Sequence, residues 1–224
     1  MNKKIVQNMP LPSNTKYKWI ECFAKLILEK KVPSEFFELE IIDQPDLQNF
    51  KTSIGIEVTS AVDASSQELE RLYSELEHEM ARNVEKVKKK IEKLGGKVSN
   101  GILIHPVKNR TLENIYRSYK NKLLLLNGKN YRIFKHNYIF VTDENVIHEL
   151  ELNIILEKLI KIQSKYNYNF DRVYIYLYGD NLYEFDLNNR RHAIYSFLEG
   201  EINNISCEAR KMVEEKENEI KLKY

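Results

Sequence analysis

Cysteine is nearly missing from this chain: Cys22 and Cys207 are the only two in 224 residues, far apart and without a Cys-x-x-Cys pair. That excludes a disulfide framework and a zinc ribbon, and it fits a reducing, cytosolic setting. Glycine is also scarce, at 7 residues, and none falls in a Gly-x-Gly-x-x-Gly or Gly-x-x-x-x-Gly-Lys pattern, so dinucleotide and P-loop phosphate binding drop out. No Gly-x-Ser-x-Gly elbow appears either. The five histidines, His78, His105, His136, His148 and His192, form no His-x-His or His-Glu-x-x-His pair, which leaves zinc hydrolase chemistry without a ligand set. Neither sign of charge is in excess. Lys and Arg number 35 against 33 Asp and Glu, a net +2, so a nucleic-acid-binding surface must be a local patch and bulk electrostatics count mildly against one. No apolar run approaches a membrane span, and the basic Met1–Lys4 is followed by Ile-Val-Gln-Asn-Met-Pro, which is no signal-peptide core. A cytoplasmic protein without membrane attachment is the expectation.

What is present is the composition of a globular chain, 42% hydrophobic and 30% charged, with nothing of the disordered class about it. The length suits one α/β domain with extra helices. A first helix is predicted over 16–31, with Trp19, Ile20, Phe23, Leu26 and Ile27 on its apolar face. Glu21 falls about 160° from the centre of that stripe, where a solvent-facing acid is the commoner case. Residues 36–42 read as a strand. After Asp63, a ready N-cap, a single long helix is predicted to Leu94, with a leucine-rich stripe ended by Gly95-Gly96. The stripe suits packing on the protein's own sheet before it suits a seam between two copies, so a homodimer stays an open alternative. Lys86, Lys88, Lys89 and Lys90 on this helix read as a solvated face, with phosphate contact as the alternative.

Further on, 101–106 is predicted as a short buried strand, 111–127 as a helix, 137–142 as a core strand and 149–166 as another amphipathic helix. The run 172–178 alternates Tyr174, Tyr176 and Tyr178 with aliphatic residues. Such a strand is more often buried between layers than free to stack on bases. Residues 182–186 should pair back on it as an edge hairpin, and a charged helical tail follows from about 198 and looks peripheral. Helices alternating with short buried strands make an α/β fold, a mixed central sheet flanked by helices, in a single domain over 1–224.

The one stretch with chemistry in it is 40–61. Asp46 follows Pro45, and Glu57 sits inside Ile54-Gly55-Ile56-Glu57-Val58-Thr59. Alternation puts Ile56 and Val58 on one face and Glu57 with Thr59 on the other. A carboxylate in a β-branched strand is costly to bury unless a cation meets it, and two acids from neighbouring segments can share a hard divalent cation.

This arrangement resembles the PD-(D/E)XK nuclease superfamily, in which a Pro-Asp on one strand precedes an acid-x-Lys on the next. Pro45-Asp46 matches the first half, and Glu57 with Thr59 matches the second except that Thr stands where Lys is expected. The resemblance spans roughly 17–141. It implies a restriction-endonuclease-like fold and Mg²⁺ or Mn²⁺ held by Asp46, Glu57 and the Val58 carbonyl for phosphodiester hydrolysis. It also implies DNA more readily than RNA as substrate, and a restriction, repair, defence or mobile-element setting. In some divergent members a helix supplies the lysine missing from the strand. Lys122 lies about 70° from the centre of the apolar face of the 111–127 helix and is the candidate, with Lys120 in reserve; each is equally readable as a lysine covering apolar surface. An acid on the first helix often approaches the metal in this superfamily, and Glu21 is the matching position. The Thr59 departure leaves a second expectation standing, a nuclease-fold protein without turnover that binds nucleic acid or another protein.

Overall fold

The computed structural model describes residues 11, 15–77, 83–99, 102–106, 112–143, 147, 151–177 and 181–221. The chain divides into two compact units, a larger one made of Tyr17–Ala61 and Arg110–Met212 and a smaller one made of Met1–Lys16, Val62–Asn109 and Val213–Tyr224.

The larger unit is built on a seven-stranded mixed sheet. Its elements in chain order are α1 (Trp19–Lys31), β1 (Glu40–Ile41), β2 (Leu47–Asn49) and β3 (Ile54–Ser60), followed beyond the smaller unit by α4 (Glu113–Leu126), β6 (His136–Asp143), α5 (Leu152–Gln163), β7 (Arg172–Leu177), β8 (Asn181–Asp186) and β9 (Arg191–Ser196). The order across the sheet is β1-β2-β3-β6-β7-β8-β9. β3, β6 and β7 run parallel, and the other pairs are antiparallel. The parallel centre explains why β6 and β7 are apolar on both faces: helices cover each side, as parallel sheets require. Ile139, Val141, Val173 and Ile175 pack under α4 and α5 with Tyr119, Leu123 and Leu159. On the other face Phe23 of α1 meets Tyr176 edge-on at 5.3 Å, and Phe36 meets Tyr138 and Tyr174 in the same way. Tyr174 and Tyr176 are thus buried and offer no surface to bases; Tyr178 lies outside the described residues.

Several expectations need correction. Only Glu40 and Ile41 of the 36–42 stretch pair as strand, because Glu38 takes a positive φ and the Phe37 carbonyl is claimed by the Asn49 side chain. β8 is not an edge: β9 pairs along its outer side, an unforeseen strand whose sequence shows no apolar alternation because it is mostly exposed. The helix after β9, α6 (Glu201–Lys221), is not a peripheral tail. Ile205 and Ala209 are fully buried, Glu201 pairs with Lys31 at 2.8 Å, and Trp19 Nε1 donates to the Ser206 carbonyl. Cys22, Ala24 and Leu28, off the predicted apolar stripe, are buried as well, so helix α1 is enclosed on more sides than that stripe announced.

The smaller unit contains α2 (Ala64–Glu77), α3 (Val84–Lys93), β4 (Lys97–Ser99) and β5 (Ile102–Ile104). The single long helix is therefore two. Asn83 caps α3, its side chain accepting from the Lys86 N–H, a capping signal that the continuous leucine stripe masked. Leu69, Leu72, Val87 and Ile91 form a core of their own, joined by Leu76, Leu94, Val98 and Leu103. β5 is not buried: it pairs only with β4, leaving Ile102 and Ile104 exposed. Gly95 ends α3 with φ +81, the left-handed C-terminal cap read from the sequence. Among the described residues no helix is long and apolar enough to cross a membrane.

Candidate functional site

β2 is short, and its pairing with β3 runs only as far as Leu47 opposite Ile56. Beyond that point the outer edge of β3 has no strand beside it, and a backbone N–H there must find another acceptor. Asp46, in the turn entering β2, supplies it: its Oδ2 accepts from the Val58 N–H at 2.7 Å. Asp46 is thus fastened to the strand that carries Glu57. A residue's N–H and C=O leave a strand on the same edge, so the Val58 carbonyl opens toward Asp46 as well.

Gly55 permits this close approach. A Cβ there would lie 2.7 Å from Phe134 Cδ2 and 2.8 Å from Pro45 Cγ. Replacing Gly55 by Ala should push the Pro45–Asp46 turn off β3 and cost about 1–3 kcal/mol, read as a lower urea midpoint at unchanged slope. An Ala variant as stable as the wild type would show that the turn yields freely.

Glu57 pairs in register with Ile139, and Ile139 with Val173. In-register neighbours share a face, so Glu57 points to the side covered by α4. There Lys122 leans in from the border of the α4 apolar face. Its Nζ donates to Asp46 Oδ2 at 3.2 Å and to Glu57 Oε2, while Tyr131 Oη, from the loop after α4, donates to Glu57 Oε1. Since both acceptor oxygens bond one nitrogen, they lie within two hydrogen-bond lengths, roughly 6 Å, of each other. The expected convergence of Asp46, Glu57 and a helical lysine is present.

Burial gives these contacts weight. The Glu57 side chain is 4% exposed, Asp46 13% and Lys122 18%. Burial raises the Glu57 pKa, and the nearby Asp46 charge adds to the rise, together outweighing Lys122 and Tyr131. Lys122 also sits above its ordinary value: burial works against its charge, but Glu57 and Asp46 more than offset that. Tyr131 is pushed far up by burial and by the Glu57 carboxylate, so its hydroxyl stays a donor. The cluster contains two carboxylates and one ammonium, an arrangement one positive charge short.

The remaining sequence candidates fall at different distances from this centre. Lys120 is exposed on α4 and is not among the groups bonded to the pair, so of the two lysines only Lys122 reaches it. Glu21 is buried, not solvent-facing. It pairs with Lys18 at 2.8 Å and does not bond Asp46 or Glu57. The Lys18 ammonium, held charged first by Glu21, also feels Asp46 and Asp43, which puts this pair on the flank of the site. Thr59 is half-buried on the Glu57 face of β3. Tyr131 was missed, since a tyrosine in a polar loop has no sequence signature. So was Gln48, fully buried on β2, whose amide donates to the Pro45 carbonyl at 2.9 Å and whose Oε1 has no partner.

Two carboxylates and a strand carbonyl are hard oxygen donors of the kind Mg²⁺ and Mn²⁺ take, and Mg²⁺ is commonly bound through one or two carboxylates with water completing its shell. No group of three or more His, Cys, Asp or Glu that could hold a metal occurs among the described residues, so any such ion would rest on the pair. Comparison with protein-family models, with curated proteins and with solved structures returns no match to this chain.

Proposed function

We propose that the chain is a Mg²⁺- or Mn²⁺-dependent nuclease of restriction-endonuclease-like fold that hydrolyses phosphodiester bonds in nucleic acid. The observation that carries the proposal is the sharing of the Lys122 ammonium between Asp46 and Glu57, two acids from neighbouring segments fastened together through the Val58 N–H. In this reading Asp46, Glu57 and the Val58 carbonyl hold the ion, which supplies Lewis acidity toward the phosphate. Lys122 stays protonated and, freed from the carboxylates, orients the attacking water or offsets charge building on the phosphate. Tyr131 fixes the rotamer of Glu57, and Glu21 with Lys18 supports the Asp46 side. The resemblance to the PD-(D/E)XK superfamily supplies DNA as the first substrate to try, and a defence or mobile-element role as the setting.

A second reading is favoured by one specific feature. Thr59 replaces the strand lysine, and Lys122 already neutralises part of the pair, so the cluster is also a good internal ion pair for a nuclease-fold protein that only binds.

One experiment separates the two. A divalent ion that binds only the folded state stabilises it by about 2.7 kcal/mol at a hundredfold excess over its dissociation constant. The wild type should therefore melt higher with Mn²⁺ and nick plasmid or degrade linear DNA or RNA. Asp46→Asn should melt at or above the apo wild type, gain little from Mn²⁺ and leave the nucleic acid intact. Stabilisation by Mn²⁺ without cleavage supports the binding module; absence of both effects overturns the metal site.

A further inference from the structure

The helix α3 carries five lysines and two glutamates in ten residues, a net +3 on a protein whose whole charge is +2. At 100° per residue, Lys86, Lys89, Lys90 and Lys93 fall within an arc of about 100°. The acids Glu85 and Glu92 lie together on another side with Lys88, which pairs with Glu85 at 3.6 Å. All four lysines of the stripe are exposed, and none forms an ion pair with a described residue. The facing charge from the neighbouring α2 is Glu68, which feels Lys90 but is held by Arg71.

Like charges three and four residues apart oppose a helix. This stripe contains four such pairs: Lys86 with Lys89 and with Lys90, and Lys93 with Lys89 and with Lys90. Glu85 and Glu92 stand four and three residues from Lys89 and relieve that lysine alone; Lys86, Lys90 and Lys93 have no acid at such a spacing. An arrangement that weakens its own helix is explained by a polyanion that meets it. We infer that the Lys86–Lys89–Lys90–Lys93 stripe is a docking track for a nucleic-acid backbone. The choice of nucleic acid rests on the nuclease reading; the demand for a polyanion does not.

Length and texture fit that partner. Seven residues of helix advance about 10 Å, over which one strand of a duplex presents about three phosphates. A membrane surface fits less well, because an interfacial helix needs a free apolar face. The apolar residues of α3, Val87 and Ile91, are instead spent in the core of the smaller unit.

The test is equilibrium binding of a fluorescent 20-base-pair DNA to the full chain in EDTA, across a series of salt concentrations. It compares the wild type with the quadruple variant K86Q/K89Q/K90Q/K93Q, whose glutamines keep helix propensity. The wild type should bind with log K falling linearly in log salt. The variant should lose about three units of that slope, bind at least tenfold more weakly at 50 mM salt, and melt no lower than the wild type. Equal slopes, or no binding by the wild type, overturn the track. Equal binding of both proteins to DNA, with loss only on vesicles containing 30% phosphatidylserine, gives it to membranes instead and also overturns it. Failure of the nuclease reading is read separately: Asp46→Asn should keep the wild-type slope, and the quadruple variant should keep its response to Mn²⁺.

Discussion

Replacing Lys122 by Met should destabilise the metal-free protein by about 3 kcal/mol and reduce any nucleolytic turnover at least 10²-fold. The stability loss follows from what the lysine leaves behind. Methionine preserves most of the apolar stem, but Glu57 and Asp46 would then face each other with no cation between them. Removing one partner of a buried ion pair costs about 3–5 kcal/mol. The low end applies because Lys122 keeps 18% of its side chain exposed. The turnover loss is that expected for a donor acting in the transition state. Chemical denaturation separates this from a mere packing defect. Acid or Mn²⁺ should each narrow the gap between variant and wild type, the first by protonating a carboxylate and the second by replacing the missing positive charge. A gap unaffected by either would mean that Lys122 serves only as apolar cover.

Glu57→Gln should do the opposite at a pH above the folded pKa of Glu57: the metal-free variant should melt above the wild type while losing its response to Mn²⁺. The pKa of Glu57 in the folded chain lies above its ordinary value, with burial as the first cause and the Asp46 charge adding to it. A group raised in this way contributes stability that is complete below the ordinary carboxylate pKa, about 4.3, and is lost as pH rises through the folded pKa. Above that folded pKa the wild type therefore carries a buried charge that one lysine, shared with Asp46, does not fully satisfy. Glutamine can turn its carbonyl to Lys122 and its amide to Tyr131 Oη, which accepts as well as donates, and Lys122 then balances Asp46 alone. Lowering the pH through the folded pKa should stabilise the wild type relative to the variant and close the gap. Parallel melting curves across that range would deny Glu57 its perturbed environment.

Legibility in the sequence followed the strength of local signals. β6 and β7 were readable because burial on both faces leaves continuous apolar runs. The buried face of α4 was readable because Ile115, Tyr116, Tyr119, Leu123 and Leu126 recur at helical spacing. That same spacing placed Lys122 on the border from which it reaches inward, and strand alternation turned Glu57 away from Ile56 and Val58. Short elements were harder. β1 has two residues and β2 three, too few for alternation to register, and the turn between them is shaped by backbone conformation. β9 is exposed, so it has no hydrophobic pattern to read. Glu21 misled because angular position on a helix predicts burial only when one side is covered, and Leu28, on the same side as Glu21, is buried too. The Tyr131 contact depends on a loop path that no periodicity encodes.

Glu57 and Lys122 stand on opposite sides of the smaller unit in the chain, and their meeting depends on the parallel pairing of β3 with β6. Until those two strands find each other the cluster does not exist, so its assembly reports late, non-local folding. The entropy of closing such a loop grows only by about 0.6 kcal/mol for each doubling of its length. Insertions or deletions between Ser60 and Glu113 are therefore cheap for the cluster, whereas a one-residue slip between β3 and β6 would turn Glu57 to the α1 face and abolish it.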